Sequence, residues 1–366
     1  MKRRNQAIGR KAWFKSILVS EYPQARFAQA TKAKLLLLAL VMAGLWYLAA
    51  PSQLTPEEQL LWEKVSAAQQ HLWLWKQEQG IAASEESDPF NCGLIGIEWS
   101  SITTTLGDLA SKRTACNPAW AVQFSRWFRE LGLKQGDPVA IYSSASFPGL
   151  LLSSLAAAEA MELKPLLLVS LGASTWGANH PDAPWPVLAT ELRRSGFVHK
   201  RADFYTLGGD AEMGHAMAPE GQALLRKAAK ESGVELLAAE NLEGMIAQKK
   251  NLMEAHKPRL LVNIGGSHAN LGDDPEVLKL PAGLIETADI DLAGNGLIAA
   301  AMQDNIPVIH MLNLRSLSHV TGIPYDAPPR SRAPVKPGKW WSGAGVLLFI
   351  IVVLGHRRWK LESADD

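Results

Sequence analysis

Cysteine is almost missing: Cys92 and Cys116 are the only two in 366 residues. Neither stands at metal-ligand spacing from further Cys or His, which argues against a zinc site, and no metal is expected. In an oxidising compartment the two can pair, closing a loop of about 24 residues worth about 3 kcal/mol in the chain-entropy picture. The alternative is a pair of buried free thiols. Also missing are the G-x-x-x-x-G-K-[ST] phosphate loop, the G-x-G-x-x-G dinucleotide fingerprint and the G-x-S-x-G nucleophile elbow, and no cofactor is indicated. No repeat of fixed period is present.

Negative charge is scarce at the start of the chain. Residues 1–34 carry nine Lys/Arg and one acid, Glu21, while residues 356–366 balance at three of each sign. The rest therefore carries a net charge of about −7. Nucleic-acid binding needs clustered positive charge, so it is set aside.

What the sequence does have is two apolar runs near its ends. Residues 35–50 run from Leu35 to Ala50 behind Lys32 and Lys34, with Trp46 and Tyr47 suited to the opposite interface. A leader cleaved after Ala50 is the competing reading. A basic region over thirty residues long before the run, and Pro51 after it, speak against that. Residues 340–355 begin at Trp340 and Trp341 and are followed by His356, Arg357, Arg358, Trp359 and Lys360. Both runs are expected to span the bilayer, with a buried core helix as the alternative for the second. Positive charge before the first run places both termini in the cytoplasm and the intervening domain outside it. Arg330, Arg332, Lys336 and Lys339 weaken the vote of the second run. The expected order is a basic cytoplasmic tail (1–34), a span (35–50), a helical stalk (55–80), an α/β domain (90–322), a Pro-rich linker (323–339), a span (340–355) and a cytoplasmic tail (356–366). The bilayer of a bacterial plasma membrane is thus an expected partner, and the tail can lie on anionic lipid.

Thr55-Pro-Glu-Glu reads as a helix start, with a capping Thr, Pro at the first position and acids in the first turn, and the helix either lifts the domain off the membrane or packs on its base. Beyond it, short apolar runs alternate with amphipathic stretches. Strands are expected at Gly93–Ile97, Pro138–Tyr142, Pro165–Ser170, Asp203–Thr206, Arg259–Ile264 and Pro307–Met311. Helices are expected near 117–132, 147–162, 184–195, 218–232, 240–256 and 294–304. Continuous apolar strands imply burial on both faces, and βα alternation implies a mostly parallel, doubly wound sheet.

Ligands bind such sheets outside the carboxyl ends of the strands. The loops there are rich in Gly and small polar residues. Ser143, Ser144 and Ser146 open a helix, as caps or as an anion site. A serine hydrolase built on Ser144 or Ser146 needs a base from His268 or His310, oriented by Asp210 or Asp289. The loop Asn263-Ile-Gly-Gly-Ser-His-Ala-Asn270 sets Ser267, His268 and Asn270 beside paired glycines, as part of a ligand site or as a tight turn. Glu98, Asp289 and Asp291 flank the same edge as candidate carboxylates. Thr103, Thr104 and Thr105 with Lys112 and Arg113 either bind an anionic chain or form an exposed strand. Ser174 and Asn179 lie in another such loop, and Asp210 follows Gly208-Gly209.

The stretches I-G-I-E-W-S-S-I-T-T-T-L-G-D-L-A-S-K-R-T-A-C-N-P (95–118), G-D-P-V-A-I-Y-S-S-A-S-F-P-G-L (136–150), S-L-G-A-S-T-W-G-A-N (170–179) and, more loosely, V-N-I-G-G-S-H-A-N (262–270) resemble the poly-gamma-glutamate system protein family. These are membrane-anchored accessory proteins encoded with bacterial poly-γ-glutamate synthesis and export components. The resemblance implies a role in making, exporting or anchoring the polymer, with the polymer or its membrane synthesis and export proteins as partners. It supplies no reaction. The competing expectation is a hydrolase or transferase acting on the polymer's amide bonds. An acidic domain repels a polyglutamate chain, so direct binding requires basic patches such as Lys112/Arg113, Lys200/Arg201 or Lys249/Lys250 through Arg259.

Overall fold

The computed structural model describes residues 37–42, 44–45, 54–215, 217–286, 295–331, 345, 347–348 and 351. The basic tail, residues 332–339 of the Pro-rich segment, Asp289, Asp291, the second tail, half of the first apolar run and most of the second lie outside the described residues. The chain divides into two compact units, one of residues 51–337 and one uniting residues 1–50 with 338–366. In the latter, a methyl group added to Gly345 stands 3.6 Å from Met42 Cε and 3.7 Å from Leu45 Cδ1, so the two apolar segments touch. Among the described residues no helix is long and apolar enough to cross a membrane.

The larger unit begins with α1 (Pro56–Glu78). In chain order follow β1 (Thr103–Thr105), α2 (Leu109–Ala115), α3 (Ala119–Glu130), β2 (Pro138–Ser144), α4 (Pro148–Ala160), β3 (Lys164–Ser170), β4 (Ala173–Ser174), α5 (Trp185–Arg194), β5 (Phe204–Thr206), α6 (Pro219–Ser232), β6 (Glu235–Leu236), α7 (Leu242–His256), β7 (Leu261–Ile264), α8 (His268–Leu271), β8 (Gly283–Ile285), α9 (Leu297–Gln303), β9 (Val308–Met311) and α10 (Leu314–Thr321). Seven strands form one sheet in the order β6-β5-β3-β2-β7-β9-β8. All neighbours are parallel except β8, which runs antiparallel to β9.

Strand periodicity divides the apolar residues between two cores. Val139, Ile141, Leu167, Val169, Val262, Ile264, Ile309 and Met311 face one way, onto the helices α1, α3, α4 and α5. Ala140, Tyr142, Leu166, Leu168, Leu261 and Val308 face the other, onto α7 and α9. The sheet is covered on both sides, so the mostly parallel α/β class read from continuous apolar strands is the class observed.

Five of the six expected strands form. Gly93–Ile97 does not, because its backbone bonds elsewhere. Gly96 N–H donates to the Trp176 carbonyl, Trp176 N–H to the Ile97 carbonyl, and the Lys76 ammonium caps the Ile95 carbonyl at 3.2 Å. The Thr run forms β1 instead, paired parallel with β4.

Of the two roles open to the helical stalk segment, lifting the domain off the membrane or packing on its base, packing is the one observed. Thr55 and Glu58 form the capping box that starts α1. Leu61, Val65, Ala68 and Leu72 then lie on one face at helical spacing and join the core, with Val65 and Leu72 fully buried. Glu58 also accepts both arms of the Arg126 guanidinium from α3 at 2.7 and 2.9 Å. This helix is therefore a layer of the domain and does not stand clear of it. Leu72→Ala is expected to cost about 2–5 kcal/mol by leaving a cavity, seen as a lowered midpoint in thermal or denaturant unfolding. A change below 0.5 kcal/mol would return α1 to the role of a stalk.

Candidate functional site

From β2 the chain winds through β3 and β5 to β6, then returns to the opposite side of β2 with β7. The loops after β2 and β7 therefore part company at the carboxyl edge, where open α/β sheets hold ligands. Three groups of polar side chains gather along that edge.

The first is a buried ion pair. Lys249 Nζ lies 2.5 Å from both carboxylate oxygens of Glu212, and both side chains are wholly removed from solvent. Ser170 and Thr206 hydroxyls donate to Oε2 at 2.7 and 2.6 Å. The Ser267 hydroxyl and the Ala269 N–H, the latter at 3.1 Å, donate to Oε1. Burial pushes the Glu212 carboxyl up, but the Lys249 charge and these hydrogen bonds outweigh it and hold the group down at about 2. Asn270 accepts from Lys249 at 3.3 Å and donates to Asn263 at 2.8 Å, and Asn263 in turn donates to His310 Nδ1 at 3.1 Å. One carboxylate thus ties together the ends of β3 and β5, the middle of α7 and the start of α8. It also holds strained backbone, since Ala211 and Glu212 both adopt left-handed φ values of 50° and 61°.

The second group surrounds His268. Its Nδ1 accepts from Ala211 N–H at 3.1 Å and lies 3.0 Å from Asp210, while Nε2 bonds Asp273 at 2.9 Å. The third surrounds Lys112, whose Nζ donates to the Ser146 carbonyl and the Ser174 hydroxyl, each at 2.6 Å, and lies 3.8 Å from the Phe147 ring centroid. Burial drags this amine down to about 7.

The sequence-derived residues divide accordingly. Ser267 and Asn270 join the buried pair, Asp210 joins His268, and Lys112, Ser146 and Ser174 meet. The expected Ser144 or Ser146 with a His base is not assembled. Ser144 Oγ is buried without a hydrogen-bond partner, against the backbone of Gly265. Ser146 Oγ accepts from Ser174 N–H at 3.0 Å. No serine is among the hydrogen-bond partners of His268, and burial holds His310 neutral, at about 4, against Asn263.

Nor do the serines cap a helix or open an anion site. Ser143 and Ser144 belong to β2, and α4 starts at Pro148, with Phe147 as its N-cap and no side-chain cap. A Cβ at Gly149, in its first turn, meets the Ala115 carbonyl oxygen at 2.5 Å, so the last turn of α2 covers that helix end. Thr103 is buried and accepts from Ser100 N–H and Asn179 at 2.9 and 3.0 Å, Thr104 is half-buried and Thr105 exposed. Asn179 is structural, binding the N–H and carbonyl of Ile97 at 2.9 and 2.7 Å. Glu98 is exposed, away from the buried network.

The basic patches are largely neutralised within the chain. Lys112 and Lys249 turn inward, and Arg113 grips Asp326 with two hydrogen bonds at 2.7 and 3.0 Å. Lys200 pairs with Asp203 at 2.8 Å, Lys250 with Glu254 at 3.7 Å, and Arg259 with Asp137. Cys92 and Cys116 are buried free thiols with sulfurs 2.8 Å apart, so the disulfide is not formed here. Burial pushes the Cys92 thiol up, and reduced protein should resist iodoacetamide until unfolded.

Glu212, Ser170 and Thr206 were missed, and Lys249 was read as surface charge. A signal existed for Lys249: with Met245, Ile246 and Met253 it occupies the buried stripe of α7. Comparison with models of known protein families, with curated proteins and with solved structures finds no match.

Glu212→Gln leaves the Lys249 ammonium buried without its counter-charge and is expected to cost about 3–5 kcal/mol in equilibrium unfolding. The Glu212 carboxyl is held below its ordinary value of 4.5, at about 2. Its contribution is therefore complete above pH 4.5 and lost as pH falls toward 2. The stability gap between wild type and the variant should narrow over that window; a constant gap argues against an ionised Glu212. Ser144→Ala removes an unpaired buried hydroxyl and should leave stability equal or raise it by about 1 kcal/mol.

Proposed function

We propose that this chain is a membrane-anchored accessory protein of poly-γ-glutamate biosynthesis, export or anchoring, whose α/β domain works outside the cytoplasm through contact with partner proteins. Its resemblance to the poly-gamma-glutamate system protein family supports the polymer. The two terminal apolar runs, which touch at Gly345, Met42 and Leu45, support the anchor.

One observation carries the choice of a partner protein over the polymer itself: Arg201 is exposed, but most of the basic groups of the patches that a polyanion requires are buried or paired with acids. Lys112, Arg113, Lys200, Lys249, Lys250 and Arg259 each have an internal engagement. A chain bearing a carboxylate on every residue meets an acidic domain with little unpaired positive charge at these places, and long-range attraction is lost.

The full chain in lipid nanodiscs is expected to show little cosedimentation with poly-γ-glutamate at low ionic strength, and no salt-dependent fall. Deleting the gene in a producing cell should lower cell-surface polymer. The full chain should restore it, and a chain lacking residues 35–50 and 340–355 should not. Unchanged polymer after deletion would sink the reading; tight, salt-sensitive binding would move the contact from partner to polymer.

A further inference from the structure

We propose that Cys92 and Cys116 are a covalent modification site, closing into a disulfide that staples the segment before β1 to the end of α2 as the domain folds outside the cytoplasm. The inference rests on the extracytoplasmic placement of the domain proposed above.

The chain has 366 residues and only two cysteines, 24 positions apart, and both sulfurs arrive at one point. They stand as thiols 2.8 Å apart, closer than unbonded sulfurs rest, and a movement of under about 1 Å brings them to bonding distance. Cys92 is 4% exposed and Cys116 3%. With no third cysteine in the chain, neither has a competing partner within it.

Neither backbone can draw its sulfur away. Asp88 accepts from the N–H groups of Cys92 and Gly93 at 3.0 and 2.8 Å, which fixes the turn that delivers the first sulfur. Gly93 has a left-handed φ of 68°, and a Cβ there stands 2.3 Å from the Trp73 nitrogen, so the turn is pressed onto α1. Cys116 is the C-cap of α2, its N–H bonded to the Lys112 and Arg113 carbonyls at 3.2 Å each. Its own carbonyl accepts from Gln69 of α1 at 2.5 Å. One helix therefore holds both halves of the pair. The bond joins parts of the chain that no ladder connects, because residues 93–97 belong to no strand of either sheet.

The step is thiol–disulfide exchange with an external disulfide, that of an oxidoreductase or of a low-mass thiol. One cysteine thiolate attacks a sulfur of that disulfide, forming a mixed disulfide and releasing a thiolate. The second cysteine then attacks the chain's sulfur in the mixed disulfide and expels the oxidant's other thiolate. The chain loses two electrons and two protons, and the oxidant leaves as two thiols. Exchange needs access, and both sulfurs are buried once the turn after Asp88 closes on α1, so the bond forms before that closure is complete. Burial pushes the Cys92 thiol up, which makes the folded dithiol a poor nucleophile, and the same burial keeps external thiols from the finished bond. The pair is thus a fixed staple and does not cycle.

The test counts thiols on the full chain in cells quenched with acid, by maleimide mass-tagging in denaturant before and after dithiothreitol. No tag is expected before reduction and two after it, with a cross-linked peptide joining Cys92 to Cys116 in a nonreducing digest. Protease applied to intact spheroplasts reports in parallel which side of the membrane the domain occupies. Two free thiols in a protease-accessible domain overturn the staple. Two free thiols in a protected domain overturn the extracytoplasmic reading instead, and the purified full chain refolded with oxidised and reduced glutathione then decides. Bond formation there supports the staple, and persistent thiols overturn it. Equilibrium unfolding of the oxidised full chain in nanodiscs supplies a second reading. Dithiothreitol should lower its urea midpoint by about 1 M, and the double variant Cys92→Ala, Cys116→Ala should not respond to the reductant. An oxidised wild type whose midpoint ignores dithiothreitol overturns the proposal.

Discussion

A carboxylate and an ammonium placed together where no water reaches them set the geometry of the whole carboxyl edge. Glu212 accepts from Ser170, Thr206, Ser267, Ala269 and Lys249, groups that belong to four separate parts of the chain. Removing two charges from water is unfavourable, and only the completeness of this hydrogen bonding offsets it. The loop carrying Glu212 gains no ordinary backbone comfort in return, since Gly208, Gly209, Ala211 and Glu212 all lie at positive φ. The network therefore acts as a clamp: it holds a strained loop over the ends of β3 and β5, and in doing so positions His268 and the turn after β7.

The sheet itself was legible because its strands carry an uninterrupted apolar signal. Pro138–Tyr142 and Pro165–Ser170 have no other plausible home than a strand buried on both faces, and the observed division of Val139 and Ile141 from Ala140 and Tyr142 follows from the pleat. Gly93–Ile97 carried a similar signal and failed as a strand. Its burial comes from α1 and from the loop ending at Asn179, contacts distant in sequence that local pattern does not reveal. The antiparallel β8 was missed for the opposite reason, being only three residues long.

The polar edge was less legible. Ser267, Asn270 and Ser174 are legible because polar residues beside glycines at strand ends are worth notice, and Lys112 because it forms a basic pair beside a Thr run, but their partners are not foreseen. Lys112 and Arg113 are adjacent in sequence, yet α2 sends one into the protein and the other to Asp326. A pair of basic residues reads as a surface patch only until the helix that carries them is oriented. The same lesson applies to Lys249 and Lys250, and together they remove much of the positive charge that a polyanion partner seemed to require.

The margins of the sheet have their own consequence. One border is β6, of two residues, and the other is β8, of three, which runs against its neighbour. So few open amide and carbonyl groups give little template for another chain to extend the sheet. Copies crowded side by side are thereby kept from zipping into one another along these borders, and association between them must go through side chains.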